Sequence, residues 1–523
     1  MSTNRFQNGV RFVIPLILCA VLALIAGCTN EVSTNTDTSA TTTAAATTTG
    51  PTDSAAAAAA SGMATFNPVP MPDPHITGYM FPEPEPTIIG WTNTNNQKAI
   101  NLHAWGIWTA LTQETNEVFA GQKLRVFETW PDVDDLISTP PATGMTALAQ
   151  KPRLAHRLKK PRQFEHGGGA AALGLTANGG ESTVLAFVKY DPTGGDHIVK
   201  NNLFSSTNLS AMLTAGKQAI PDFPNPSLAL KPVFQTLSGS TVGGGRYYQL
   251  STWPGSPQLT YNSSDKLYHS IPFPQKLWKQ CVWIDVQAKG KGTGTGGVDT
   301  TCTADGSSRT PANTYGVDDF IRFQLTAAEA AAENAQGQSP PAKAGDYAVL
   351  VAMHVTSREI TRWTWETFWW VPNPDKPTAP SSPAIAADRP PQLQGAPRNY
   401  AHCTAYDMEN PATPLIGGNN NGDSIYCFNP YLEAPFTPSV LPKSIPGYTM
   451  FQGKKVQTAN NVGAQTNCMS CHGQANWPVV NPAPYTGDQY IAMNAPQFKG
   501  VLKTDFLWSI PDNACPQPGQ PCP

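Results

Sequence analysis

Proline constrains this chain more than any other feature of it. Fifty of its 523 residues are Pro and 43 are Gly, while only 14% are charged, well under the ~25% usual in globular domains. Proline fixes φ and removes a backbone donor, so it ends helices and is kept out of central strands. With thirteen Trp as well, the composition predicts a β-rich α+β fold, with many loops, few helices and enough length for a large core.

Residues 1–28 read as a lipoprotein signal peptide. Arg5 and Arg11 precede an apolar run over 12–25 that is short for a bilayer span. The run ends Leu24-Ile25-Ala26-Gly27-Cys28, which resembles a bacterial lipobox and implies cleavage before Cys28 with lipid on its thiol. Acyl chains on that residue make a stable anchor, so the lipid bilayer is an expected partner. Thr29, rather than Asp, follows the cysteine, which favours the outer membrane, at its periplasmic face or on the cell surface. Two cations and no acid leave with the signal, taking the formal net charge from −3 to −5, which argues against a nucleic-acid partner. Residues 29–62 are Thr, Ala and Ser with little else and read as a tether. A β-rich domain in one or two lobes is expected over 63–445, with a functional segment over 446–523 packed on it.

Within the domain, apolar Ile100, Ala104, Ile107, Trp108 and Leu111 recur at helical spacing and predict a helix over 96–113. A capping box at Thr326 and Glu329, closed by Gly337, predicts a second over 326–336. Alternation predicts a hairpin of strands 347–356 and 360–371 turning at Ser357-Arg358-Glu359, with Trp363, Trp365, Thr367 and Trp369 on one face as core. Further strands are expected over 124–130, 184–190, 247–252, 279–286 and 319–325. Residues 68–86, spaced by prolines, read as an extended lead-in. A basic stretch, Lys151, Arg153, Arg157, Lys159, Lys160 and Arg162 around His156, reads as a solvated face, or as a docking site for an acidic redox partner protein or anionic lipid.

Ten cysteines are present. Cys19 leaves with the signal, Cys28 takes lipid, and Cys468 and Cys471 belong to the motif below. The remaining six suit three disulfides in an oxidising compartment, and although six Cys allow 15 connectivities, neighbours in sequence are the expected pairs: Cys281–Cys302, Cys403–Cys427 and Cys515–Cys522.

The most specific motif is Cys468-Met469-Ser470-Cys471-His472. Two thiols three positions apart can form thioethers with the two vinyl groups of one haem, and the adjacent His then ligates the iron. A zinc site would need two more well-spaced ligands, and a redox dithiol has no need of the His. The expected cofactor is therefore one covalently bound haem c, with Cys468, Cys471 and His472 as its attachment. Only 51 residues follow His472, nine of them Pro, so this is not expected to be a standard small cytochrome c domain, and the larger domain should complete the site. For the sixth iron position Met493, Met450, Met469, His402 and His354 are candidates beside an open or water-bound iron. No HExxH, GxSxG or P-loop pattern offers a rival chemistry, and Asn419-Asn420-Asn421-Gly422-Asp423 lacks the distal Glu of a calcium loop and reads as a turn.

The chain resembles a family of exported bacterial mono-haem c-type proteins of about 450–550 residues. The resemblance rests on His103-Ala104-Trp105-Gly106-Ile107-Trp108-Thr109-Ala110-Leu111, Val126-Phe127-Glu128-Thr129-Trp130, Ala352-Met353-His354-Val355, Trp363-Thr364-Trp365-Glu366-Thr367-Phe368, the CxxCH with Asn467, and Thr504-Asp505-Phe506-Leu507-Trp508. Members often carry a Tyr-Trp-Ile-His-like stretch before the haem. Gly447-Tyr448-Thr449-Met450 stands there in this chain, without the His, which draws attention to Met450. The resemblance implies no particular reaction. Extracytoplasmic electron transfer is the expected role. A peroxidase- or oxygenase-like haem enzyme with an open iron is an alternative, and so is a haem-containing binder of a ligand such as a polysaccharide.

Overall fold

The computed structural model describes residues 62–141, 144–160, 184–255, 273–288, 290–337, 339–410, 412, 423–425, 427–435, 448–451, 454–457, 468–479 and 490–516. The signal peptide with Cys28, the tether, Gly167–Gly169, Asn419–Asn421 and Cys522 lie outside them. The described residues belong to one compact unit. It is a mixed α+β structure with several sheets.

The frame is a seven-stranded sheet of β1 (Val184–Ala186), β2 (Lys189–Tyr190), β3 (Leu228–Leu237), β4 (Arg322–Gln324), β5 (Tyr347–Ser357), β6 (Thr364–Trp370) and β7 (Tyr400–Thr404). Its order is β7-β6-β5-β3-β1, with β2 also on β3 and β4 also on β5, and every pair is antiparallel. β5 and β6 are the expected hairpin, registered Ala352 to Trp369 through Ser357 to Thr364. The connection is longer than the three-residue turn expected: it runs to Trp363, which stands outside the strand in the left-handed region at φ 61°. Trp363, Trp365 and Trp369 are all buried.

Partners across an antiparallel sheet share a face, and neighbours along a strand alternate. Met353, Phe368 and His402 therefore share one face, and His354, Thr367 and Cys403 the other. The first face is covered by helix α1 (Gln97–Leu111), capped by the side chain of Asn96 on the Ala99 amide. Trp108 stacks on Phe368 at 4.3 Å, and Trp105 meets His402 edge-on at 4.3 Å. Every residue from His103 to Leu111 is buried, as befits a helix enclosed on all sides. Gly106 has a packing reason in mid-helix, because a Cβ there would lie 2.0 Å from the Tyr79 ring. The second face is open to the site described below.

The second expected helix is Ala327–Ala335, with its Thr326–Glu329 capping box formed. Other expectations need correction. The lead-in expected over 68–86 is free of helix up to Pro84 but ends in one, Glu85–Thr94, started by Pro86 in the first turn, where a missing N–H costs nothing. The strand expected over 124–130 stops at Arg125 and becomes a turn of helix, Val126–Thr129. Beyond the strand expected over 184–190, Asp191 caps the helix Pro192–Lys200. The basic stretch is only partly a solvated face: Lys151 and Lys160 are exposed, while Arg162 lies outside the described residues. Arg153 and His156 are buried, Arg157 binds Asp132 at 2.8 Å, and Lys159 binds Asp134 at 2.8 Å.

Two expected disulfides are present, Cys281–Cys302 and Cys403–Cys427. Cys515 is disulfide-bonded too. The C-terminal residues Tyr490, Ile491, Phe498, Leu502, Phe506 and Leu507 belong to the same hydrophobic cluster as the sheet. No helix among the described residues is long and apolar enough to cross a membrane.

Candidate functional site

The CxxCH motif folds as one turn of helix, α3 (Met469–His472), entered through Cys468 at φ 58°. Met469 and Ser470 are wholly buried and Cys471 nearly so. The turn is closed by Gly473, where a Cβ would stand 3.0 Å from the Met469 carbonyl and 3.2 Å from Cε of Met408. The following chain wraps back over it: the Trp508 indole donates to the Cys471 carbonyl at 3.2 Å.

His472 is oriented by main chain. Its Nδ1 bonds the carbonyl oxygen of Phe506 at 2.8 Å. A carbonyl only accepts, so the proton sits on Nδ1 and Nε2 carries the lone pair. The imidazole also lies against Trp365 of β6, with ring centroids 4.1 Å apart. The Phe506 carbonyl is presented by two successive residues in the left-handed region, Asp505 at φ 47° and Phe506 at φ 66°. The Asp505 carboxylate holds that turn, accepting from the Phe223 amide at 3.0 Å and from Nε of Arg358 at 3.1 Å.

Cys468, Cys471 and His472 open together onto a cavity of about 210 Å³ against the second face of the sheet, where Trp365, His354 and Glu433 form further wall. Arg157, Lys159, Lys160 and Lys231 stand around it with Asp132 and Asp134, so the rim carries both signs. Burial pushes the Cys471 thiol up to about 12. Burial, then the charge of Glu433, raises Cys468 as well. Burial thus favours the neutral form of both thiols, which does not suit a reactive dithiol. Neither is in a disulfide. The one cluster of three potential metal-ligating atoms among the described residues is Cys281, Asp299 and Cys302, and its two sulfurs are bonded to each other.

The candidates for a second ligand separate in space. His402 sits on the opposite face of the sheet beneath α1, fully buried, with no hydrogen bond at either nitrogen. Burial, then the charge of Arg389, lowers its pKa to about 3. Met493 packs at the edge of the core, with its carbonyl taken by Lys503, and is not among the residues lining the cavity. Met469 is sealed inside the motif's own turn. Met450 lies in the strand Tyr448–Phe451, and its side chain is outside the described residues.

Among the candidates whose side chains are described, His354 alone lines the cavity. Its Nε2 bonds Glu433 Oε1 at 3.1 Å. Glu433 closes the short helix α2 (Pro430–Glu433), and its other oxygen accepts from the Asn429 amide. Asn429 is fixed in turn, donating to the Thr367 hydroxyl at 2.6 Å and to the Phe368 carbonyl at 3.1 Å. The Cys403–Cys427 bridge ties the start of this segment to β7. Sequence reasoning missed Glu433 and the Phe506 carbonyl. The first is 79 residues from its partner; the second is main chain and has no side-chain signature. The chain matches no described protein family, no curated protein and no solved structure.

Proposed function

We propose that this chain is an exported, lipid-anchored mono-haem c-type protein of extracytoplasmic electron transfer. Cys468 and Cys471 would hold the haem by two thioethers and His472 would ligate its iron. The bound haem supplies one-electron chemistry, poised by its ligands and burial. The residues suit the group. Buried neutral sulfurs can become thioethers, which carry no charge to desolvate, and the cavity they face is walled by Trp365. The observation that carries the reading is the His472–Phe506 hydrogen bond. It fixes the tautomer a metal needs, in the way partners of metal-bound His commonly do.

A pyridine haemochrome spectrum of the purified protein tests it and should show a c-type signature. Changing both Cys468 and Cys471 to Ala should remove haem stain from the denatured chain. A b-type signature, or stain that survives the double change, rejects the reading. The anchor is tested separately: Cys28→Ser should leave the chain soluble or unprocessed, and processed protein still in the membrane fraction would reject it.

A further inference from the structure

We infer that His354 is the second axial ligand of the group held by Cys468, Cys471 and His472, with Glu433 as its positioning residue. The inference rests on the haem reading above and deepens it, because it makes the iron six-coordinate and the protein a carrier rather than an open-iron enzyme.

Three observations converge on His354. The first is the face of the sheet. His354 is paired with Thr367, and Trp365, two residues along the same strand, shares that face. Diagonal neighbours on one face lie ~7–8 Å apart, and the His472 ring lies tilted against that Trp365. The second is the cavity, whose wall includes both imidazoles and both motif thiols. The third is the carboxylate. Metal-ligating His usually gives its other ring N–H to a carboxylate or carbonyl, which fixes the ring and raises its basicity. His354 gives Nε2–H to Glu433, leaving the lone pair on Nδ1, while His472 gives Nδ1–H to Phe506. Two histidines oriented by such acceptors, on one cavity, are a ligand pair. Buried Glu433 is itself held at both oxygens, so the orientation is built rather than incidental.

The test uses the haem-loaded protein. Wild type should be low-spin in both oxidation states and inert to carbon monoxide, and near-infrared magnetic circular dichroism of the ferric form should report two nitrogens on the iron. His354→Ala should become high-spin and bind carbon monoxide, and added imidazole should restore the low-spin spectrum. Glu433→Gln should remain low-spin but raise the midpoint potential, because a less basic imidazole stabilises ferric iron less. Wild type that binds carbon monoxide, or that reports nitrogen and sulfur ligation, overturns the inference whether or not the Ala variant folds. So does an Ala variant that stays low-spin without imidazole. In all three cases a c-type haemochrome leaves the haem reading standing. A chain with no covalent haem overturns both.

Discussion

Nδ1 of His472 and the carbonyl oxygen of Phe506 lie 2.8 Å apart, and the acceptor is main chain, presented by a strained turn. Non-glycine residues in the left-handed region cost about 1 kcal/mol or more each, and here Asp505 and Phe506 both occupy it. The Arg358–Asp505 pair, 11% and 7% exposed, offsets that cost by tying the turn to the hairpin. Asp505→Ala strips Nε of Arg358 and the Phe223 amide of their acceptor. It should destabilise the fold by about 3 kcal/mol and raise the midpoint potential of the loaded protein as His472 loses its acceptor. An unchanged denaturant midpoint would show that the turn holds itself.

His156 makes a pH-dependent contribution far from the site. It bonds Glu329 at 3.0 Å and Glu128 at 3.2 Å, and stacks on Phe323 at 3.5 Å. Burial lowers its pKa, but hydrogen bonds and charge from Glu128 and Glu329 outweigh burial and raise it. Burial opposes ionisation of Glu128 as well, yet the His156 bond leaves that carboxyl lowered. A raised His contributes stability that is complete below its unfolded pKa, ~6.5, and is lost as pH rises through its folded value. A lowered Glu contributes stability present above ~4.3 and lost as pH falls through its own folded value. The cluster should therefore stabilise most in mildly acidic solution, between those limits. His156→Gln should cost about 3–5 kcal/mol there and flatten the alkaline side of a stability–pH profile measured by urea unfolding. An unaltered profile would mean that His156 is neutral in the fold.

The structure also shows where sequence patterns inform and where they mislead. α1, the Thr326 capping box and the β5–β6 hairpin were legible because each depends on residues close together in the chain. β3, central in the sheet, was not. Pro232 interrupts it and pairs with Met353 opposite, and proline argues against a central strand. The apolar run Leu228-Ala229-Leu230, continued by Val233-Phe234, was the signal available. The basic stretch misled for a related reason, because charge in sequence does not reveal Asp132, Asp134 and Asp135 waiting some twenty residues upstream. At the candidate site the motif singled out three residues that the fold brings onto one cavity. His354 was visible only as one candidate among several, since its selection depends on sheet register and on Glu433.

The Cys403–Cys427 bridge should matter to the site more than Cys281–Cys302 does. Both close loops of similar length, with separations of 24 and 21 residues, so chain entropy gives each about 3 kcal/mol. Only the first anchors the segment carrying Asn429 and Glu433. Cys403→Ser with Cys427→Ser should lower stability and also perturb the spectrum of the loaded protein. Cys281→Ser with Cys302→Ser should lower stability alone. Equal spectral effects from the two pairs would refute this division.

His402 supplies the sharpest contrast with His354, because substituting it should help the fold and leave the site alone. Its two nitrogens are buried without hydrogen bonds, a desolvation cost of about 1–3 kcal/mol. Leucine removes that cost at similar volume, and gives up an edge contact with Trp105 worth about 0.5–1.5 kcal/mol. At neutral pH and above, His402→Leu should therefore be neutral to mildly stabilising. Acid separates the two proteins further. His402 is held neutral to about pH 3, whereas in the unfolded chain it takes a proton near 6.5. Proton binding then favours unfolding by about 1.4 kcal/mol for each pH unit below that point. The Leu variant escapes this penalty, so its advantage should grow by about 2 kcal/mol between pH 8 and pH 5. Urea unfolding at the two values measures it, with the haem spectrum as the control for the site. A loss of stability at pH 8 above about 1 kcal/mol would show that the imidazole has a buried polar partner after all, and a shifted haem spectrum would return His402 to the list of ligands.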